Sequence, residues 1–250
     1  GHAECVRTFE EHAAAEAAAR EAARAAEAAA SEAARVKAEF YAARQALIAG
    51  DEPALLAWLE AGGQVNAMPS QRDLTLLMNA AHLGQERVVE LLLQHGAEID
   101  MESSKGVTAL MLATACGHAR VVELLLQRGA QVDMQNSGGN TALTSAAQEG
   151  YERVVEMLLR HSAEVNLQDS DGATALMGAA QHGHERVVDL LIRHGAEVNL
   201  QRSDGGTALM SAAQHGHERV VELLLRNGAE VNLQESIGGT AQMSAALHCH

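Results

Sequence analysis

Six threonines, Thr75, Thr108, Thr141, Thr174, Thr207 and Thr240, stand 33 residues apart, with nearly the same residues around each. A period of this length marks a solenoid, in which one supersecondary unit stacks on copies of itself. In the copy from 202 to 234, Leu209, Met210, Ala212 and Ala213 put an apolar face on one short helix. Val220, Val221, Leu223, Leu224 and Leu225 do so on a second. Gly216 separates the two helices, and Gly228 stands where a left-handed C-cap is needed. The residues from there to the next threonine form a turn. One such pair cannot bury both apolar faces by itself, so neighbouring copies must supply the rest of the core.

The pattern GxTALM, then AAxxGHERVVELLL, then GAEVNLQ resembles the ankyrin repeat. Five whole copies match, at 70 to 102, 103 to 135, 136 to 168, 169 to 201 and 202 to 234, with partial copies at 41 to 69 and 235 to 250. The resemblance implies an all-α solenoid of helix pairs joined by projecting β-turn fingers. Fingers and first helices would line a concave surface that usually binds proteins, and no catalysis is implied. The departures are informative. Thr-Ala-Leu-Met at Thr108, Thr174 and Thr207 lacks the family's proline and histidine, and Met78, Met111, Met177, Met210 and Met243 are expected in the core. In the third copy Ser162 occupies the C-cap glycine slot and Tyr151 replaces the usual histidine, which makes it the weakest copy.

Residues 1–40 differ from the rest of the chain. From Ala3 to Ala49 there is neither glycine nor proline, and alanine, glutamate and arginine dominate. These are strong helix formers, Glu16 with Arg20 is a favourable i,i+4 pair, and a single rod leading into the repeats of 41–250 is expected. One stripe of the rod carries no charge: Ala15, Ala19, Ala22, Ala26, Ala30 and Ala33, continuing to Phe40. It reads either as a docking stripe for a second copy or partner helix, or as part of a solvated spacer. In the capping copy, Asp51, Glu52 and Pro53 start a helix whose apolar face is Leu55, Leu56, Trp58 and Leu59, with Trp58 expected in the core. The loop from Ala67 to Asp73 is one residue longer than its equivalents, so its finger should differ in shape.

The formal net charge of −15 argues against nucleic acid and anionic membrane surfaces as partners and favours a neutral or basic polypeptide. No run has the length of a membrane span. Cys5, Cys116 and Cys249 are too few and scattered for a disulfide framework, which favours a reducing, intracellular compartment. There is no phosphate loop, nucleophile elbow or His-Glu-x-x-His, so no enzyme and no cofactor are expected. His182-Gly183-His184 and His215-Gly216-His217 belong to the helix-linking turn, and their recurrence at about 10 Å, the spacing of packed helices, suits no single metal ion. His248-Cys249-His250 ends a partial copy in which Met243 and Leu247 lack a second helix to pack on. Either the native protein continues, or a partner covers that end.

Copies four and five differ at only six positions, among them Asp169/Arg202 and Gly178/Ser211, whereas copies one to three vary more. The variation falls on positions that the resemblance places on the concave surface: Arg72, Leu74, Leu83, Lys105, Val107, Cys116, Asn140 and Glu149. Leu74, Val107, Leu83 and Cys116 would form an apolar floor flanked by Arg72 and Lys105, suited to an extended or helical peptide; drift without a partner is the other reading. Gln135, Gln168, Gln201 and Gln234 form a polar ladder that either binds a peptide backbone or faces solvent. The expectation is a protein-binding scaffold, with a structural spacer or assembly subunit, contacting its complex through the rod, as the alternative.

Overall fold

The computed structural model describes residues 2–68, 74–236 and 240–241, with side chains from residue 15 onward. The positions of Arg72, Asp73, Met243, Leu247 and the terminal His-Cys-His lie outside the described residues, as does the side chain of Cys5. The twelve helices among the described residues belong to two compact units, residues 1–70 and 71–250.

In the first unit, α1 (His2–Ala49) is one unbroken helix of 48 residues, a rod of roughly 70 Å at 1.5 Å per residue. Arg20 reaches Glu16 at 3.7 Å, and Arg35 reaches Glu32 at 2.8 Å and Glu39 at 3.5 Å. All are exposed and each contributes only tenths of a kcal/mol, on the order of 0.5. Helix α2 (Glu52–Glu60) starts where the Asp51 carboxylate accepts the Ala54 N–H at 3.1 Å, and it packs on α1. Phe40, Ala43, Leu47, Leu55 and Leu59 are buried. Trp58, expected in the core, is instead half-buried: its ring lies over Gly63, where a Cβ would stand 2.3 Å from it, and its Nε1 is buried with no partner among the described residues.

The second unit contains five helix pairs: α3 (Leu76–His82) with α4 (Glu86–Gln94), α5 (Ala109–Ala115) with α6 (Ala119–Gln127), α7 (Ala142–Glu149) with α8 (Glu152–Arg160), α9 (Ala175–Gln181) with α10 (Glu185–Arg193), and α11 (Ala208–Gln214) with α12 (Glu218–Arg226). First helices stack on first helices and second on second, giving two layers. Each first helix begins at a buried threonine, Thr75, Thr108, Thr141, Thr174 or Thr207. Its hydroxyl accepts the N–H three residues on, at 3.1 to 3.4 Å. Such a cap is worth about 1 kcal/mol, and burial keeps water from competing for the donor. The marker residue of the repeat is therefore the start signal of its first helix. Met78, Met111, Met177 and Met210 supply that N–H and bury their side chains.

Second helices end in a left-handed residue whose successor donates back into the last turn, as Ala196 N does to Leu191 O at 3.0 Å. Gly96, Gly129, Gly195 and Gly228 fill this slot, and in the third copy Ser162 does so at φ 64°, the only non-glycine residue with positive φ among the described residues. A Cβ costs energy there that glycine does not pay. The second copy holds a different defect. Thr114 is wholly buried, its hydroxyl has no partner, and the equivalent slots hold Ala81, Ala147, Ala180 and Ala213.

Two outcomes are expected in equilibrium unfolding. Ser162→Gly raises stability by about 0.5–1 kcal/mol; an unchanged or lower midpoint contradicts the strain assigned to this residue. Thr114→Val, which keeps the shape and removes the hydroxyl, stabilises by about 1 kcal/mol. A loss of stability would mean that the hydroxyl has a partner.

Candidate functional site

The face formed by the fingers and first helices is built from turns that hydrogen-bond within and between copies. In three successive fingers one side-chain oxygen accepts two backbone N–H groups: Ser103 Oγ from Lys105 and Val107, Asn136 Oδ1 from Gly138 and Asn140, and Asp169 Oδ1 from Asp171 and Ala173. These are the local bonds that suit Ser, Asn and Asp to turns. Arg202 occupies the same slot in the fifth copy and cannot accept. There the job passes to Asp204, which takes the Gly206 N–H at 2.9 Å and a two-pronged bond from the Arg202 guanidinium. That bond, followed by the Gly206 N–H, holds the Asp204 carboxyl below the usual carboxylate range, and the Arg202 pKa is raised by the same contact.

Finger is tied to finger along the stack. Ser137 N donates to Lys105 O at 2.8 Å, Ser170 N to Gly138 O at 3.0 Å and Ser203 N to Asp171 O at 2.8 Å. The glutamine ladder belongs to this system. Gln135 Nε2 donates to Gly139 O in the next finger and to Gln168 O, and Gln168 and Gln201 repeat the arrangement one copy further on. All three side chains are exposed, so the ladder faces solvent as one expectation had it, while its amide donors also join copy to copy.

The eight positions expected to bind a partner fall into three rows. Leu74, Val107 and Asn140 directly precede the capping threonines and are half-buried. Leu83, Cys116 and Glu149 stand at the far ends of α3, α5 and α7; Leu83 is 44% exposed, so its apolar surface is available to a ligand. Lys105 is an exposed fingertip, and Arg72, its equivalent, lies outside the described residues. Leu74 directly precedes the N-cap of α3 and Leu83 is its C-cap, so the apolar positions stand at opposite ends of the first helix. Leu112, half-buried in α5, lies between them in the slot of Asn79, Ser145, Gly178 and Ser211. Cys116 Sγ lies 3.3 Å from His82 Nδ1, joining the first two copies.

A cleft of about 200 Å³ lies further along the same face, lined by Asn140, Thr144, Asp171, Gly178, His182 and Ser211 among others. Of the expected residues only Asn140 reaches it. The rule that selected the others, variation between equivalent slots, would also have found Leu112 and Gly178. The histidines are engaged with backbone: Nδ1 of His182 with Gly178 O at 3.0 Å, and Nε2 of His184 with Gln148 O at 3.0 Å. Among the described residues no three His, Cys, Asp or Glu side chains are placed to hold a metal ion, and no helix is long and apolar enough to cross a membrane. On α1 the stripe residues Ala15, Ala19, Ala22, Ala26, Ala30 and Ala33 are all exposed.

A family model described as ankyrin repeats in three copies matches residues 40–136, 77–169 and 143–235, well over half of the chain. No curated protein matches it.

The Asp204 contact predicts a local pH dependence. A carboxyl whose pKa is depressed by folding contributes fully above the ordinary carboxylate pKa, and the contribution is lost as pH falls through its lower folded value. The Gly206 amide resonance should therefore stay fixed from neutrality down to about pH 4 and move only below it. Movement between about pH 5 and 8 would show that another group controls this finger.

Proposed function

Because the chain belongs to the ankyrin-repeat family, we propose that it is a non-enzymatic scaffold that holds a partner polypeptide against the fingers and first helices of its repeats. Ankyrin repeats are in general protein–protein interaction modules and are typically non-enzymatic. The observation that supports the finer reading is the division of slots between constant and variable. Buried slots repeat with little change, as in Leu77, Leu110, Leu143, Leu176 and Leu209. Slots that change from copy to copy, Leu83/Cys116/Glu149/His182 and Leu112/Ser145/Gly178, reach solvent, while Asn79, the first-copy equivalent of Leu112, is buried. Stacking requires the first kind and leaves the second open to selection by a partner. Leu83, Leu112 and Val107 offer apolar contacts with Lys105 at the rim, as an extended or helical peptide needs. The overall charge of −15 favours a neutral or basic partner.

The alternative, a spacer or assembly subunit that works through its rod, is favoured by the unbroken length of α1 and the exposure of its alanine stripe. One experiment separates the two. Leu83→Glu with Lys105→Glu, both at exposed positions, should abolish capture of a partner at an unchanged unfolding midpoint, while Ala22→Glu with Ala26→Glu leaves capture intact. The reverse pattern, or a solution mass by light scattering that drops only in the rod variant, moves the function to α1.

A further inference from the structure

Four of the ties that join one repeat to the next recur along the stack, which makes each junction a control for the others. At the turn linking the helices of a pair, a histidine ring lies over the left-handed glycine of the preceding copy and donates to a carbonyl there. His118 Nε2 reaches His82 O at 3.0 Å, His184 reaches Gln148 O at 3.0 Å and His217 reaches Gln181 O at 2.9 Å. A Cβ on Gly183 would stand 2.6 Å from the His217 ring, so glycine is needed for this approach as well as for its φ of 74°. On the second helices, an arginine reaches back to a glutamate one copy earlier: Arg120 to Glu86 at 3.8 Å, Arg186 to Glu152 at 3.2 Å and Arg219 to Glu185 at 4.0 Å.

The junction between the second and third copies has neither tie. Tyr151 stands in the histidine slot; its ring still covers Gly117, but it makes no hydrogen bond to Ala115 O. Ala119 stands in the glutamate slot, so Arg153 has no acidic partner among the described residues, and α6 alone of the five second helices described lacks an acidic residue in its first turn. The remaining two ties are kept, and both lie at the finger end. Ser137 N donates to Lys105 O at 2.8 Å with Gln135 Nε2 on Gln168 O at 3.0 Å, and Glu164 N donates to Asp133 Oδ1 at 2.9 Å. The two losses both fall away from the fingers, on the linking turns and the second helices.

We propose that the solenoid has a built-in opening point between its second and third repeats, hinged at the fingers and released at the Ala115–Tyr151 linking turns. In a stack of nearest-neighbour interfaces the least tied junction opens first. Its position is consequential because it divides the partner-binding face. Leu83, Lys105, Leu112 and Cys116 lie on one side, and Asn140, Glu149 and the polar cleft lie on the other. A ligand that spans both sides closes the junction, and one that occupies a single side leaves it free.

Native-state amide hydrogen exchange on the whole chain tests this without any mutation, since residues 148–155 and 181–188 are equivalent stretches one copy apart. Protection factors over 115–122 and 148–155 should be about tenfold lower than over 181–188. Tyr151→His with Ala119→Glu, which restores both missing ties, should bring the stretches level. Equal protection in the unmodified chain overturns the proposal. So does a difference that persists unchanged in the repaired variant, because the missing ties would not then be its cause.

Discussion

Each helix pair of this chain is too thin to be a core, and the rest of the structure depends on that fact. Leu76, Leu92, Leu110, Leu125, Leu143 and Leu158 are all but sealed from water only because a second pair lies against the first. A 7-residue first helix and a 9-residue second helix are below the length at which isolated helices persist. Stacking therefore precedes helix formation in the hierarchy of causes. The buried threonine caps follow from it: in water such a cap competes with solvent, and between layers it does not.

Stacking also leaves polar groups at each layer edge that must find partners, and the chain meets the need with the same few devices at most junctions. A glutamine at the end of one copy takes the carbonyls of the next finger, an Asp or Asn takes the N–H that follows the next C-cap, and a histidine takes the last carbonyl of the preceding first helix. Asn166 and Asn199 do more than Asp100 and Asp133, because their amides also donate across the junction to Gly195 O and Gly228 O. These bonds make the repeat polar at its edges without making it loose. They also explain why residues that look like surface filler recur as faithfully as the leucines.

Much of this was legible in the residues. The 33-residue period, the helix pairs, the glycine turns and the left-handed C-cap at Ser162 follow from local rules acting on one copy. What was not legible arises between copies. The partners of Gln135 and His184 are 33 and 36 residues away, so only the stacked geometry reveals that these side chains are occupied. Trp58 was read as core from its place on an apolar face, but an indole is too large for a 9-residue helix to bury, and it spread over Gly63 instead. The apolar floor expected from Leu74, Leu83, Val107 and Cys116 draws on positions at opposite ends of α3 and α5, a placement that sequence spacing alone does not display.

Near-identical copies turn each exception into a measurement. Where three described junction slots hold His and one holds Tyr, or four C-cap slots hold Gly and one holds Ser, the fold itself supplies the reference against which the exception is judged. Departures in buried or interlayer slots, Thr114, Ala119 and Tyr151, lie in the second and third copies. Departures in exposed slots cost the stack nothing and alter only what the face presents. Both kinds are densest in the same part of the solenoid. The variable face and the junction that lacks the histidine and glutamate ties are thus adjacent, and under the proposed function a ligand lying along the face would supply, across the junction, contacts that the missing residues do not.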